Sequence, residues 1–236
     1  MFSSTRSKII AAGAAAVVIA GGSYGIVTAT SGSASAAPAA ASSSPAGGFG
    51  SGSGSNARSG PAAGGSAGTI TSVSSAGFTL TTVTGQKVTI KEASATTYEK
   101  GTSTATSAAV TTGEPVLVLG TTDNTTITAA EVIVQPPSTS ESNPGGQVIA
   151  FTTGQKQGTS EQVGQIPSDY TQGSGTIVSG TTAEKATEAA LAAYPGGVVD
   201  RVVAIGNGDY EVHYIGVNWP HHIFVNQDFQ VIGAND

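Results

Sequence analysis

Residues 181–197 read TTAEKATEAALAAYPGG and decide the architecture of the C-terminal part of the chain. Thr181 and Glu184 have the spacing of a capping box, which predicts that a helix begins there. The Pro-Gly-Gly sequence after Tyr194 predicts where the helix ends. The apolar face at helical spacing consists of Ala183, Ala186, Ala190, Leu191 and Tyr194. One amphipathic helix therefore opens this part of the chain.

Four strand-like runs follow the helix, at 198–205, 210–216, 222–226 and 229–232. The first two are joined by Gly-Asn-Gly-Asp, which is typical of a hairpin turn. In the second run Tyr210, Val212 and Tyr214 alternate with polar residues, so we expect these three side chains to pack on the helix. Residues 181–236 are thus predicted to form a small α+β unit, one helix on an antiparallel sheet, which folds on its own.

The same residues resemble the PepSY domain family. The resemblance is carried by the helix that ends in Tyr-Pro-Gly-Gly, by Gly208-x-Tyr-Glu-Val, and by Ile223-x-Val-x-x-x-Phe-x-Val. The chain departs from the family pattern at Asn226, where an aspartate is common, and in the turn at 217–220. The resemblance implies an extracytoplasmic module that binds or restrains peptidases.

Residues 68–135 predict a second unit, which is all β. Threonine and β-branched residues concentrate here and alternate at period two, in five or six short runs. This pattern favours a small antiparallel barrel or rolled sheet. The order of short motifs from Gly68-x-Ile70 to Ile127-x-Ala129 resembles a family of small bacterial extracytoplasmic β-domains that has no established activity.

Two segments are predicted to be linkers. Residues 37–67 consist almost wholly of Ser, Gly, Ala and Pro, a composition typical of a disordered tether. Residues 136–180 are dominated by Ser, Thr, Gly and Gln, and we expect weak order there. Residues 64–68, GGSAG, match the G-x-S-x-G of hydrolase nucleophile elbows. That motif needs a strand before it and a helix after it, so we interpret the match as linker sequence.

Residues 1–36 are predicted to be an export signal or membrane anchor. Arg6 and Lys8 precede an uncharged apolar run at 9–20, and small residues follow it. Cleavage sites of the A-x-A kind end at Ala29 and Ala36, whereas an uncleaved run that extends to Ala29 is long enough to span a bilayer. We therefore expect an exported protein, extracellular or anchored on the outer face of the cytoplasmic membrane.

The composition excludes several functions. The chain has no cysteine, which excludes disulfides, thiolate metal sites and a cysteine nucleophile. Its formal net charge of −6 argues against a nucleic-acid partner. Neither a phosphate-binding loop, a dinucleotide fingerprint nor an H-E-x-x-H motif occurs in the sequence. We therefore predict a non-catalytic protein that needs no cofactor.

The candidate binding residues lie in the last unit. Trp219, His221 and His222 are predicted to contact a protein partner, although Trp219 could equally cover the edge of the sheet. His213 and His222 fall on one face of the sheet as diagonal neighbours if their strands pair in an odd-sum register. With Glu211 they could ligate zinc or copper, but two histidines are fewer ligands than such sites need, so we assign no metal.

Two functions follow as hypotheses. The first is an exported or membrane-tethered binding or regulatory protein that contacts or restrains an extracytoplasmic peptidase, or another envelope protein, through residues 181–236. The alternative is a structural protein associated with the cell wall or a surface polymer, which docks through residues 68–135. Phe78 and Tyr98 could stack on a sugar there, but burial in the core is the commoner place for such rings.

Overall fold

In the computed structural model, the described residues are 61–137, 148–152 and 161–236, and all of them belong to one compact unit. The predicted export signal and residues 37–60 of the predicted linker lie outside these ranges. The strands are β1 Ala62–Ser74, β2 Gly77–Thr81, β3 Lys87–Lys100, β4 Ser103–Thr104, β5 Pro115–Asp123, β6 Thr126–Val134, β7 Gln162–Gly164, β8 Thr176–Ile177, β9 Val198–Ala204, β10 Tyr210–Ile215, β11 His222–Val225 and β12 Val231–Asn235. The α-helix α1 spans Thr181–Ala193, and a short 3-10 helix spans Ser107–Ala109.

Five strands close into a barrel in the order β1-β2-β3-β6-β5, with β5 pairing back to β1. The other pairs are antiparallel, but β3 and β6 run parallel. This closed five-stranded arrangement has the architecture of an OB-fold. The prediction of a small β-barrel is confirmed.

The barrel core is built by the alternation that the sequence predicted. Inward side chains of each strand form one apolar cluster, and the outward positions carry mostly threonine and lysine. Phe78 is buried in this cluster and Tyr98 packs against it. Phe78 is therefore enclosed in the core, whereas Tyr98 is only partly buried.

The C-terminal part is one helix on an antiparallel sheet, as predicted. Strands β9, β10, β11 and β12 follow one another in the sheet. The apolar face of α1 packs on one side of this sheet, together with the inward residues Val212, Tyr214, Ile223 and Val225. Within the described part of the chain, no helix is long and apolar enough to cross a membrane.

The predicted capping box at the start of α1 is wrong. Gly180 is the N-cap, with φ at 66°, and no side chain caps the helix there. Glycine adopts this left-handed conformation without a steric penalty, so the helix can begin at the residue directly after it. Thr181 is therefore the first helical residue rather than the cap.

The first boundary of the barrel also differs from the prediction. Strand β1 begins at Ala62, so the last residues of the predicted linker are the first half of a strand. They pair with β5 on one side and with β9 on the other, where Ser66 lies opposite Val198. A Cβ on Gly64 would lie 2.1 Å from the Val199 carbonyl oxygen. The small residues therefore permit close approach of neighbouring strands, rather than disorder.

Strand β1 thus joins the two parts, and the cores on either side of it interlock. In β5, Val116 and Val118 point into the barrel, whereas Leu117 and Leu119 belong to the cluster beneath α1. A strand buried on both faces has a continuous apolar sequence, here Val-Leu-Val-Leu. The Ser66 hydroxyl, in the G-x-S-x-G match, is buried and donates to the Gly197 carbonyl at 3.2 Å.

The second predicted linker contributes two short strands. Residues 161–178, which we call the cover segment, include β7, which pairs with β12, and β8, which pairs with β9. The Val178 N–H also donates to the Val202 carbonyl at 2.9 Å. The cover segment therefore lies against the sheet, where the composition predicted weak order.

Candidate functional site

The three histidines of the chain form one cluster on the side of the sheet away from α1. His213 and His222 are directly opposite each other on β10 and β11, and their ring centroids are 5.1 Å apart. The ring of His221 lies 6.1 Å from that of His213 and 6.2 Å from that of His222. The prediction that His213 and His222 share a face is confirmed, although they are direct partners rather than diagonal neighbours.

A β-bulge in β9 brings two charged side chains to His213. His213 pairs with Arg201, but the next residue, Tyr214, pairs with Val199, so Asp200 is an extra residue in β9. A bulge of this kind redirects a side chain, and here Asp200 joins Arg201 beside the same ring. The Asp200 Oδ1 lies 2.6 Å from His213 Nδ1, and the Arg201 Nη1 lies 3.1 Å from Asp200 Oδ2.

The neighbours of His213 favour a proton on one of its two ring nitrogens. The Asp200 carboxylate can only accept a hydrogen bond, so it requires a proton on Nδ1. The Arg201 guanidinium, 3.0 Å from the same nitrogen, can only donate and requires Nδ1 without a proton. One nitrogen cannot satisfy both, and the shorter contact is with the carboxylate. We therefore place a proton on His213 Nδ1, with Arg201 paired to the carboxylate.

A second imidazole–carboxylate pair lies deeper in the cluster. His222 Nδ1 donates to Glu211 Oε1 at 2.6 Å, and each residue is only 1% exposed. The other ring nitrogen of His222 faces the Gln172 side-chain nitrogen at 3.4 Å. A neutral His222 can accept a hydrogen bond from that amide, whereas a doubly protonated ring cannot.

Tyr170 of the cover segment closes the cluster. Its ring packs edge-on against Phe224, with centroids 4.6 Å apart, and lies 5.8 Å from the ring of His222. Burial, followed by the Glu211 carboxylate, raises the pKa of the Tyr170 hydroxyl well above its usual value. Both this hydroxyl and the Arg201 Nε are buried without a hydrogen-bond partner.

His221 is the half-buried member of the cluster. Its Nε2 donates to the Val217 carbonyl oxygen. Burial lowers the pKa of His221, and the neighbouring His213 and His222 lower it further. The Val217 carbonyl and Asp236 oppose this shift. The net direction favours a neutral ring.

The arrangement can hold and exchange protons within the protein. Each imidazole has one nitrogen engaged by an oxygen acceptor, as in histidines that are oriented for a chemical task. Among the described residues, however, no group of three or more His, Asp or Glu side chains has the placement needed to hold a metal ion. The cluster is a largely buried network in which each imidazole is hydrogen-bonded to a carboxylate or a carbonyl oxygen.

The residues predicted to contact a partner have a different environment from the one expected. Trp219 is 2% exposed, and its indole N–H donates to the Ile149 carbonyl at 3.3 Å. Residues 148–152 cover it, since the Thr152 N–H also donates to the Trp219 carbonyl. His222 is buried as well, so only His221 of the three keeps partial exposure.

Sequence reasoning missed Asp200, Arg201, Tyr170 and Gln172. One signal was present, because residues 198–203 read VVDRVV, with two opposite charges inside an apolar strand. Charged residues are rarely buried unless paired, so this sequence indicates a buried ion pair. The contributions of Tyr170 and Gln172 depend on long-range contacts of a polar segment, which carries no comparable signal.

No protein-family model, curated protein or solved structure matches this chain. The resemblance to the PepSY family therefore rests on the residues quoted above and stays a hypothesis.

Proposed function

We propose that this chain is an exported, non-catalytic binding or regulatory protein whose helix-and-sheet part contacts an extracytoplasmic protein such as a peptidase. The ionisable groups suited to acid–base chemistry are buried and paired with each other, as His222 and Glu211 are. Such pairing supports a structural or regulatory role for them. The basic and apolar N-terminal sequence supports export, and the PepSY resemblance supports a peptidase as the class of partner.

One surface of the helix-and-sheet part carries the proposal. Tyr210 and Phe229 stack in parallel, with ring centroids 5.8 Å apart, and both are partly exposed. The Lys185 ammonium of α1 lies 5.4 Å from the centroid of the Phe229 ring. We call these three residues the aromatic ledge. Aromatic and cationic side chains are the types that contribute most to protein–protein binding energy.

The backbone at Phe229 gives independent support. Its φ is 58°, in the left-handed region that is uncommon for a bulky residue. The turn is held there by Asn226, whose side-chain oxygen accepts from the N–H groups of Asp228 and Gln230 at 3.0 and 2.9 Å. Glycine would adopt this conformation without steric strain. The position nevertheless carries an aromatic side chain, although the backbone conformation is unfavourable for one.

The test substitutes Phe229 by glycine in the full chain. Phe229→Gly removes the ring and relieves the backbone, which offsets part of the lost packing and keeps the protein folded. We expect affinity for an extracytoplasmic peptidase, measured by inhibition across a peptidase panel and by direct binding, to fall about tenfold or more. The control Val73→Ser changes an exposed barrel residue and should leave binding unchanged. Equal binding by the Phe229→Gly variant would contradict the proposal.

A specific feature of the barrel favours the alternative, docking to a wall polymer. Threonines pair across three neighbouring strands, Thr79 with Thr89 and Thr89 with Thr126, and Lys87 and Lys91 flank them on β3. Hydroxyl and ammonium groups in a row can donate hydrogen bonds to a polar or anionic polymer. If this function holds, the chain sediments with purified cell wall, and replacing both lysines by alanine releases it. The peptidase proposal predicts that the chain stays in the supernatant.

A further inference from the structure

The histidine cluster has a charge balance that changes sign as it takes up protons. Arg201 supplies one positive charge, and Asp200 and Glu211 supply two negative charges. With all three imidazoles neutral, the cluster carries one net negative charge, and a first proton neutralises it. A second and a third proton leave uncompensated positive charge in a largely buried site, which is costly.

The titratable groups around the cluster come from several elements. Strand β9 supplies Asp200 and Arg201, β10 supplies Glu211 and His213, and β11 supplies His222, with His221 directly before it. Tyr170 of the cover segment lies near Glu211 and Arg201, and it stays neutral because its pKa is raised. Asp236 is the further acidic group, and it favours a proton on His221. Asp236 is only partly buried, so the count above is that of the charges within the cluster itself.

The cover segment is the part that can move away most easily. Strands β9, β10 and β11 are paired on both sides within the sheet. The cover segment is held by the short strands β7 and β8, and by the contacts of Tyr170 and Gln172 with β11. Single backbone hydrogen bonds at Glu161, Gln165 and Val178 complete its attachment to the sheet. Segments with few ladder hydrogen bonds open at lower free energy than central strands.

The Gln172 contact depends directly on protonation. Its amide nitrogen faces His222 Nε2, an arrangement that a neutral imidazole accepts. When Nε2 gains a proton, the amide nitrogen can no longer donate to it, and Gln172 keeps the contact only by turning its side-chain oxygen toward the ring. Protonation of His221 also favours opening. Its pKa is lowered in the closed structure, so the closed structure loses stability as the pH falls below the ordinary pKa of histidine.

We propose that the cover segment is a proton-sensitive cover, closed near neutral pH and released in mild acid when the histidine cluster takes up more than one proton. Release exposes Phe224 and the edges of β9 and β12 that β8 and β7 occupy. For an exported protein this would couple the accessibility of a sheet edge to the acidity outside the cytoplasm. The inference does not require the aromatic ledge to bind a partner.

Hydrogen exchange of the full chain, measured by mass spectrometry in the presence of EDTA, tests the proposal. Amide protection is expressed relative to the intrinsic exchange rate at each pH. Between about pH 7.5 and pH 5, we expect protection of the cover segment to fall about tenfold or more, while β5 and β6 change by less than about twofold. Unchanged protection of the cover segment would overturn the proposal.

Two variants link the response to the cluster. The double variant His213→Gln/His221→Gln keeps the His222–Glu211 pair and can take up only one proton, so its cover segment should stay protected at pH 5. A response equal to that of the parent would overturn the proposal. Glu211→Gln removes one negative charge, so opening should occur at a higher pH than in the parent. A lower or unchanged opening pH would also overturn it. Glu184→Gln, on α1 outside the cluster, is the matched control and should not shift the opening pH.

Discussion

The barrel and the helix-and-sheet part bury the faces of their sheets in different ways. The barrel closes on itself, and its core cluster consists of apolar residues. The sheet of β9–β12 is open, so it needs α1 on one face, the cover segment on the other and β1 along its edge. Among the residues that the structure describes, the buried charged side chains are Arg201 and Glu211, and both belong to this open sheet.

This difference means that the helix-and-sheet part depends on the barrel for part of its core. Leu117, Leu119 and Ile133 of the barrel lie in the same apolar cluster as the helix face. The sequence predicts that residues 181–236 fold alone, but that fragment lacks these residues, β1 and the cover segment. A small sheet without such cover is marginal in water, so we now expect the isolated fragment to be unfolded.

The largest effect is expected from a charge at the contact between the two parts. Leu191 is buried on α1 within the shared cluster. Leu191→Asp creates an unpaired buried charge and removes apolar contacts, which should lower the free energy of unfolding by about 4 kcal/mol. Urea denaturation of the full chain measures this. Glu188→Ala, at a partly exposed position one turn away, should change it by no more than about 0.5 kcal/mol. Equal stability of the Leu191→Asp variant would mean that the helix face is misassigned.

The next largest loss of stability is expected on the polar face of the sheet, on the side away from α1. Glu211→Ala leaves the buried His222 Nδ1–H without its carboxylate acceptor, and should cost about 3 kcal/mol. Glu211→Gln keeps an oxygen acceptor of the same shape and should cost about 1 kcal/mol. Chemical denaturation at pH 7.5 compares the two. If alanine is tolerated as well as glutamine, the buried pair does not stabilise the sheet.

A smaller effect is expected where β1 joins the two parts. A Cβ on Gly64 would meet the Val199 carbonyl oxygen, which is backbone and cannot rotate away. Gly64→Ala should therefore cost about 2 kcal/mol, by separating β1 from β9. Thr69→Val, at an exposed position of the same strand, is the control and should be close to neutral. Thermal melts distinguish them, and a neutral Gly64→Ala would show that β1 and β9 are not in close contact.

The smallest effect concerns the top of the histidine cluster. The Tyr170 hydroxyl is buried without a partner, so Tyr170→Phe removes an unsatisfied polar group and keeps the ring on Phe224. We expect unchanged stability or a gain of up to about 1 kcal/mol. A clear loss in thermal melts would show that the hydroxyl makes a hydrogen bond in solution.

The sequence predicted local features well and long-range contacts poorly. The helix phase and the alternation in β10 were readable because both follow from spacing within one element. The start of β1 was missed because glycines that allow close strand approach have the same composition as a tether. The continuous apolar run of β5 and the charges within β9 are typical of buried strands, but neither led to a prediction of burial on two faces. Which element covers those faces depends on contacts between distant segments, which periodicity does not encode.

The central claim is that the barrel and the helix-and-sheet part form one cooperative body. Trp219, the single tryptophan of the chain, is buried in the helix-and-sheet part, so its fluorescence reports that part alone. Hydrogen exchange of β3, on the far side of the barrel from β9, reports the barrel. In equilibrium urea unfolding of the full chain, our account predicts coincident transitions for the two probes. Loss of the Trp219 signal at a urea concentration where β3 stays fully protected would contradict it.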